Sequence, residues 1–155
     1  QRLSRGLGDV YKRQANNDID FHLEMPNGPI LVLCDDQQIR QMITNLLQNS
    51  IDSINARENY GNLVKGTVKI KSSIKSDSCQ LEIVDNGIGL PAEISNRLTE
   101  PYVTTREKGT GLGLAIVAKI VEDHNGTLRI QDVPERGSGV VVAITIPLVE
   151  TGNSK

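Results

Sequence analysis

The strongest constraint on the fold is a run of apolar residues, Ile39, Met42, Ile43, Leu46, Leu47, Ile51 and Ile54, spaced by threes and fours. That period fits 3.6 residues per turn rather than the alternation of a strand, and predicts an amphipathic helix to about Arg57. Asp35, followed three residues later by Gln38, is a capping arrangement for its start.

On either side the period shifts to two. Val68 and Ile70 alternate with Lys69 and Lys71, and Cys79, Leu81 and Ile83 alternate with Gln80 and Glu82. These read as adjacent antiparallel strands joined around Lys75 to Ser78. Phe21 to Glu24 and Ile30 to Cys34, separated by Pro26, Asn27, Gly28 and Pro29, read as a hairpin-like strand pair. Asn59 to Gly66 is a loop. A second helix is expected from Leu114 to Asp123, ended by Asn125-Gly126. Leu128 and Ile130 mark a further strand, and Val140 to Ile146, apolar at nearly every position, marks a central one. Between Asp85 and Gly113 only a short helical piece around Ala92 to Leu98 is periodic, and a long loop inside a compact domain is usually functional. The sum is an α+β fold, a two-layer sandwich with a mixed sheet covered on one face by helices.

A chain of 155 residues supports one domain with a real core. It is assigned to residues 15–149, with 150–155 a polar tail. Residues 1–14 are a foreign or linker segment: RGLGDVYKRQ resembles translated adapter read-through, the alternative being a native linker. Seventeen basic against 19 acidic residues, a net charge of -2, give no electrostatic case for nucleic acid or anionic lipid as partner. Cys34 and Cys79 lack the density of a disulfide framework and the spacing of a zinc site, and are expected as buried free thiols. No apolar run reaches the ~18 residues of a membrane span.

Three elements carry chemistry, each with two readings. Asn45, Asn49 and Asp52 form one polar stripe on the long helix. It is either a solvated face or a source of neutral oxygen ligands for a magnesium ion held mainly by phosphates. Strand parity points Asp85 toward the core, where a carboxylate needs hydrogen-bond donors. It either receives an exocyclic amine such as adenine's, with Gly87 and Gly89 allowing close approach of a base, or ends its strand in an Asp-Asn-Gly turn. Gly109, Thr110, Gly111, Leu112 and Gly113 run into the second helix, whose free N–H groups attract phosphate. That string is either a phosphate cradle or a hinge, and it matches neither the dinucleotide fingerprint nor a Walker loop. Thr104, Thr105, Arg106 and Lys108 bring hydroxyls and cations to the same loop, as phosphate contacts or as ordinary surface.

In order, NLLQNSIDSI, DNGIGLP, EPYVTT and GTGLGLAIVAKIVEDHNGTL resemble the N box, first glycine box, F box and second glycine box of bacterial sensor histidine kinases. The resemblance covers about Ile30 to Pro147, and EPYVTTREKGTGLGLAIV looks most like the nitrogen-regulation branch, the NtrY type. It implies the ATP-binding fold shared with DNA gyrase, MutL and ATP-dependent chaperones. It also implies that the chain holds ATP and Mg2+ and passes the γ-phosphoryl group to a histidine on a separate dimerisation domain, with a response regulator next in line. Carried onto this chain, it makes Asn49 the magnesium ligand, Asn45 its companion near the phosphates, Asp85 the adenine acceptor and Arg106 a lid cation. ATP-hydrolysing relatives of the fold have a glutamate base where Asn45 stands. The implied setting is a cytoplasmic domain of a parent anchored in the inner membrane. Thr99 and Tyr102 replace the phenylalanines common in the F box, and Ser50 the usual alanine. Neither His22 nor His124 is placed as a phosphoacceptor; both are expected to be structural or exposed.

Overall fold

The computed structural model describes residues 19–58, 65–89, 112–133 and 139–149. Their elements are β1 (Ile19–Glu24), α1 (Asp36–Glu58), β2 (Gly66–Lys75), β3 (Ser78–Asp85), α2 (Leu112–Asp123), β4 (Thr127–Asp132) and β5 (Val140–Pro147). The strands form one mixed sheet in the order β1-β2-β3-β5-β4. Both helices contribute to a single core with it. Met42, Leu46, Leu47, Ile51 and Ile54 of α1 cluster with Val117, Ile120 and Val121 of α2 and with Val68, Ile83, Val142 and Ile144 of the sheet. Each such side chain contributes about 1.5–3 kcal/mol by leaving water, which is why the periodicity of α1 dictates the layer arrangement.

The cap of α1 forms as expected. The Asp35 carboxylate accepts the Gln38 N–H at 3.1 Å, and its carbonyl accepts the Ile39 N–H at 3.0 Å. The hairpin of β2 and β3 also forms, turning at Ser76 and Asp77, with Ser76 at a φ of 54°. β5 lies between β3 and β4, antiparallel to both, as its apolar sequence requires.

The hairpin expected between Phe21 to Glu24 and Ile30 to Cys34 does not exist. β1 instead pairs parallel with β2, Phe21 opposite Val68 and Leu23 opposite Ile70. A parallel pair needs a crossover, which α1 supplies. Residues 30–34 form no strand, and are joined to the segment after β5 by a bond from the Val149 N–H to the Leu31 carbonyl at 3.1 Å. Pro26 and Pro29 remove two N–H groups from the would-be ladder. Leu33 is therefore 87% exposed, and Cys34 is exposed rather than buried. Cys79 is half-buried in β3, and desolvation raises its thiol pKa. A raised pKa leaves less thiolate at any given pH. Iodoacetamide at pH 8 should thus label Cys34 first, with Cys79 following only as the pH rises. Peptide mass mapping reads the order, and equal early labelling would contradict this packing.

α2 ends in a Schellman turn. Gly126 N–H bonds to the Val121 carbonyl at 2.9 Å and Asn125 N–H to the Glu122 carbonyl at 3.0 Å, with Asn125 at a φ of 57°. His124 then links the helices. Its Nδ1 lies 2.7 Å from the Ile120 carbonyl and its Nε2 accepts the Asp35 N–H at 3.0 Å. A carbonyl only accepts and an amide N–H only donates, so the ring is neutral with its proton on Nδ1. The bond fixes the end of α2 to the start of α1, so the helices run in opposite senses. Twelve residues at ~1.5 Å each make α2 about 18 Å long, and its Val117, Ile120 and Val121 join Met42, Leu46 and Leu47 of α1 in the shared core.

The helical piece at Ala92 to Leu98, residues 1–14 and the tail 150–155 lie outside the described residues.

Candidate functional site

The site begins at the end of β3. Ile83 is 1% and Asp85 6% exposed, so the carboxylate does face the core, between Val68 of β2 and Val140 of β5. Its Oδ1 accepts the Gly87 N–H at 2.9 Å. The inward-facing carboxylate is thus present, and so is the turn. There is an Asp-Asn-Gly turn, but a turn alone would be served by an exposed side chain, without the several kcal/mol that burial of a carboxylate costs.

The loop after Asp85 is held from two sides. From β2, the Thr67 N–H donates to Asn86 Oδ1 at 2.8 Å, and Asn86 Nδ2 donates to the Lys65 carbonyl at 2.9 Å. From α1, Ser53 Oγ accepts the Ile88 N–H at 3.1 Å, and the Arg57 guanidinium donates to the Asn86 carbonyl. Ser53 is 3% and Arg57 5% exposed.

Gly87 has a different reason to be glycine than the one expected. A Cβ there would lie 2.1 Å from Ser53 Oγ and 2.6 Å from its carbonyl carbon. The space it leaves is taken by α1, not kept for a base. Gly89 has a φ of 79°, a backbone that only glycine adopts without strain.

Ser53 and Arg57 were not among the residues singled out in the sequence, yet the signal was there. Asn45, Asn49, Ser53 and Arg57 recur every four residues, one line along α1. Asn45 and Asn49 are half-buried on that line. Asp52 sits beside it and accepts Gln48 Nε2 at 2.9 Å, a pair along the helix surface. Ser50 is buried at 3%. α2 begins at Leu112 with no acidic residue in its first turn, so the positive end of its dipole is not neutralised from within. Among the described residues, a Cβ on Gly113 would meet nothing within 4 Å.

The described part of the site is thus a buried carboxylate on a braced loop, a line of amides on α1, and the N-terminus of α2. A purine with its phosphates has the matching sequence of a donor edge and an anionic tail. Thr104, Thr105, Arg106, Lys108, Gly109, Thr110 and Gly111, with Thr99 and Tyr102, lie outside the described residues. His22 is exposed on β1. His124 is at the other end of α1 from the loop.

Comparison with known proteins gives the family of the chain. Residues 34–150 match the family model described as histidine kinase-, DNA gyrase B-, and HSP90-like ATPase. Nitrogen regulation protein NtrY of Azorhizobium caulinodans is 44% identical over 136 residues, covering 86% of this chain and 17% of NtrY. A putative NtrY-like sensor histidine kinase of Rickettsia conorii is 40% identical over 139 residues, 90% of this chain and 22% of that protein. The chain thus spans about a fifth of the length of these curated relatives. Among solved structures, the catalytic domain of histidine kinase ThkA superposes with a TM-score of 0.78 at 30% identity, covering 94% of this chain and 90% of that one.

Proposed function

This chain belongs to the histidine kinase-, DNA gyrase B- and HSP90-like ATPase family, and from that membership we propose that it binds Mg-ATP and donates the γ-phosphoryl group to a histidine on a separate dimerisation domain. The observation that carries the reading is the buried Asp85 carboxylate on its braced loop. It accepts the adenine amine. The N–H groups opening α2 receive phosphate oxygens, joined by Gly109, Gly111 and Gly113 backbone and by Thr104, Thr105, Arg106, Lys108 and Thr110. Asn49 offers a magnesium ion one amide oxygen, and Asn45 lies beside it. Among the described residues no three His, Cys, Asp or Glu side chains gather as a metal site. The donor set suits magnesium, which keeps waters and phosphate oxygens and needs only one or two protein ligands. The ion neutralises phosphate charge when bound.

This chain's residues position and neutralise rather than activate a nucleophile. Asn45 has no basic group with which to deprotonate water. His124 uses both ring nitrogens in the helix link and stands about 20 Å along α1 from Asn49. In this reading the acceptor is external, a histidine on the helical hairpin of the parent's dimerisation domain. A response regulator follows it, as suggested by the solved complex of ThkA with the response regulator protein TrrA. Among the described residues no helix is long and apolar enough to cross a membrane. In this reading the parent protein is anchored in the inner membrane and this domain is cytoplasmic.

The test mixes the chain with the phosphoacceptor hairpin of its own parent and γ-labelled ATP. Label should move to the hairpin, and the chain alone should neither label nor turn over ATP steadily. Binding without transfer would leave a nucleotide-gated docking module, and steady hydrolysis by the chain alone would mark an ATPase.

A further inference from the structure

Two of the four residues on the α1 line reach the loop that carries Asp85, and the atoms they hold are informative. The Asn86 carbonyl, which Arg57 engages, and the Gly87 N–H, which Asp85 Oδ1 receives, belong to the same peptide group. That group is planar and rigid. Fixing its oxygen fixes the direction in which its N–H points, and with it the orientation of the carboxylate that takes the hydrogen bond. A cation on the carbonyl also polarises the peptide, which strengthens its N–H as a donor. One residue further on, Ser53 Oγ holds the Ile88 N–H at 3.1 Å, so the next peptide cannot rotate either.

We propose that Arg57, assisted by Ser53, is a positioning residue for base recognition: it aims the Asp85 carboxylate at the exocyclic amine of adenine through the intervening peptide, without touching the nucleotide. The proposal rests on the ATP-binding reading above. The bland role for an arginine in the last turn of a helix is to complement the helix dipole from the surface. Arg57 is 5% exposed, and burying a guanidinium costs several kcal/mol unless its hydrogen bonds are specific. A surface charge has no need of that location. It also makes α1 one ruler for both halves of the ligand, with Asn49 at the phosphates and Arg57 behind the base.

The experiment compares ATP with purine riboside triphosphate, which lacks only the amine, by calorimetric titration of the chain and of Arg57→Met, Arg57→Lys and Ser53→Ala. The ratio of the two dissociation constants reports the Asp85 bond to the amine, about 10-fold or more for a hydrogen bond to a charged group. In Arg57→Met the ratio should fall severalfold toward one, mostly through weaker ATP binding, while purine riboside triphosphate changes about twofold or less. Arg57→Lys retains a cationic donor and should restore much of the ratio. If Arg57→Met does not fold, Ser53→Ala carries the test, with a smaller fall in the same ratio expected. Parallel weakening of both nucleotides, with the ratio kept, would reduce Arg57 to a structural residue and overturn the proposal. A ratio near one in the unaltered chain would overturn the Asp85 assignment itself, a different failure.

Discussion

Asp85→Asn is expected to weaken ATP binding by about 30- to 150-fold, the loss of about 2–3 kcal/mol from a hydrogen bond to an ionised acceptor. The substitution keeps the shape of the side chain. Its carbonyl can still take the Gly87 N–H that Asp85 Oδ1 accepts at 2.9 Å. The other atom becomes an NH2 group, which presents a donor where the adenine amine also donates. The fold should hold and the ligand should be lost, so thermal unfolding without nucleotide is the companion measurement to calorimetry. Affinity within about threefold of the unaltered chain would mean that the base sits elsewhere.

The second large effect separates two glycines that look alike in the sequence. Gly87→Ala pushes a methyl group to 2.1 Å from Ser53 Oγ, so α1 or the loop must move. Overpacking of that kind costs about 1–3 kcal/mol, and the displaced loop should lose nucleotide as well. Gly113→Ala meets no atom of the described residues within 4 Å and sits in the first turn of α2, where alanine improves helix propensity by up to about 1 kcal/mol. Urea unfolding should therefore shift in opposite directions for the two variants. Any loss of ATP affinity in Gly113→Ala would report on the ligand and not on the fold. Equal destabilisation by both would mean that the contact between Gly87 and Ser53 is not a tight one.

What could be read in advance follows the range of the interactions. The helix α1, its cap at Asp35 and the β2-β3 hairpin are set by residues near one another, so their pattern is visible in the sequence. The partner of β1 is not, because β1 pairs with β2 across the whole of α1, and turn residues at Pro26 to Pro29 suggest a hairpin that the chain does not use. The same error buried Cys34. A short apolar run can stay in water when no strand takes it up, since much of any protein surface is apolar. At the site, the parity of β3 was enough to aim Asp85 inward. The bonds that hold it were not legible one by one, because Ser53 and Arg57 meet residues 86 and 88 only when helix and sheet are packed. Their four-residue spacing from Asn45 and Asn49 was the available clue, and it was obscured by Asp52, the more conspicuous charge beside it.

The link between His124 and the Asp35 N–H has a mechanical consequence. In the ATP-binding reading it ties the two helices together at the end away from the nucleotide, so a change there would act on the gap for the phosphates as a pivot acts on tongs. In the same reading the adenine side would be gauged separately, by the grip of α1 on the loop after Asp85. A change at the pivot can thus alter how the domain holds the tail of its ligand while leaving the fit of the base untouched.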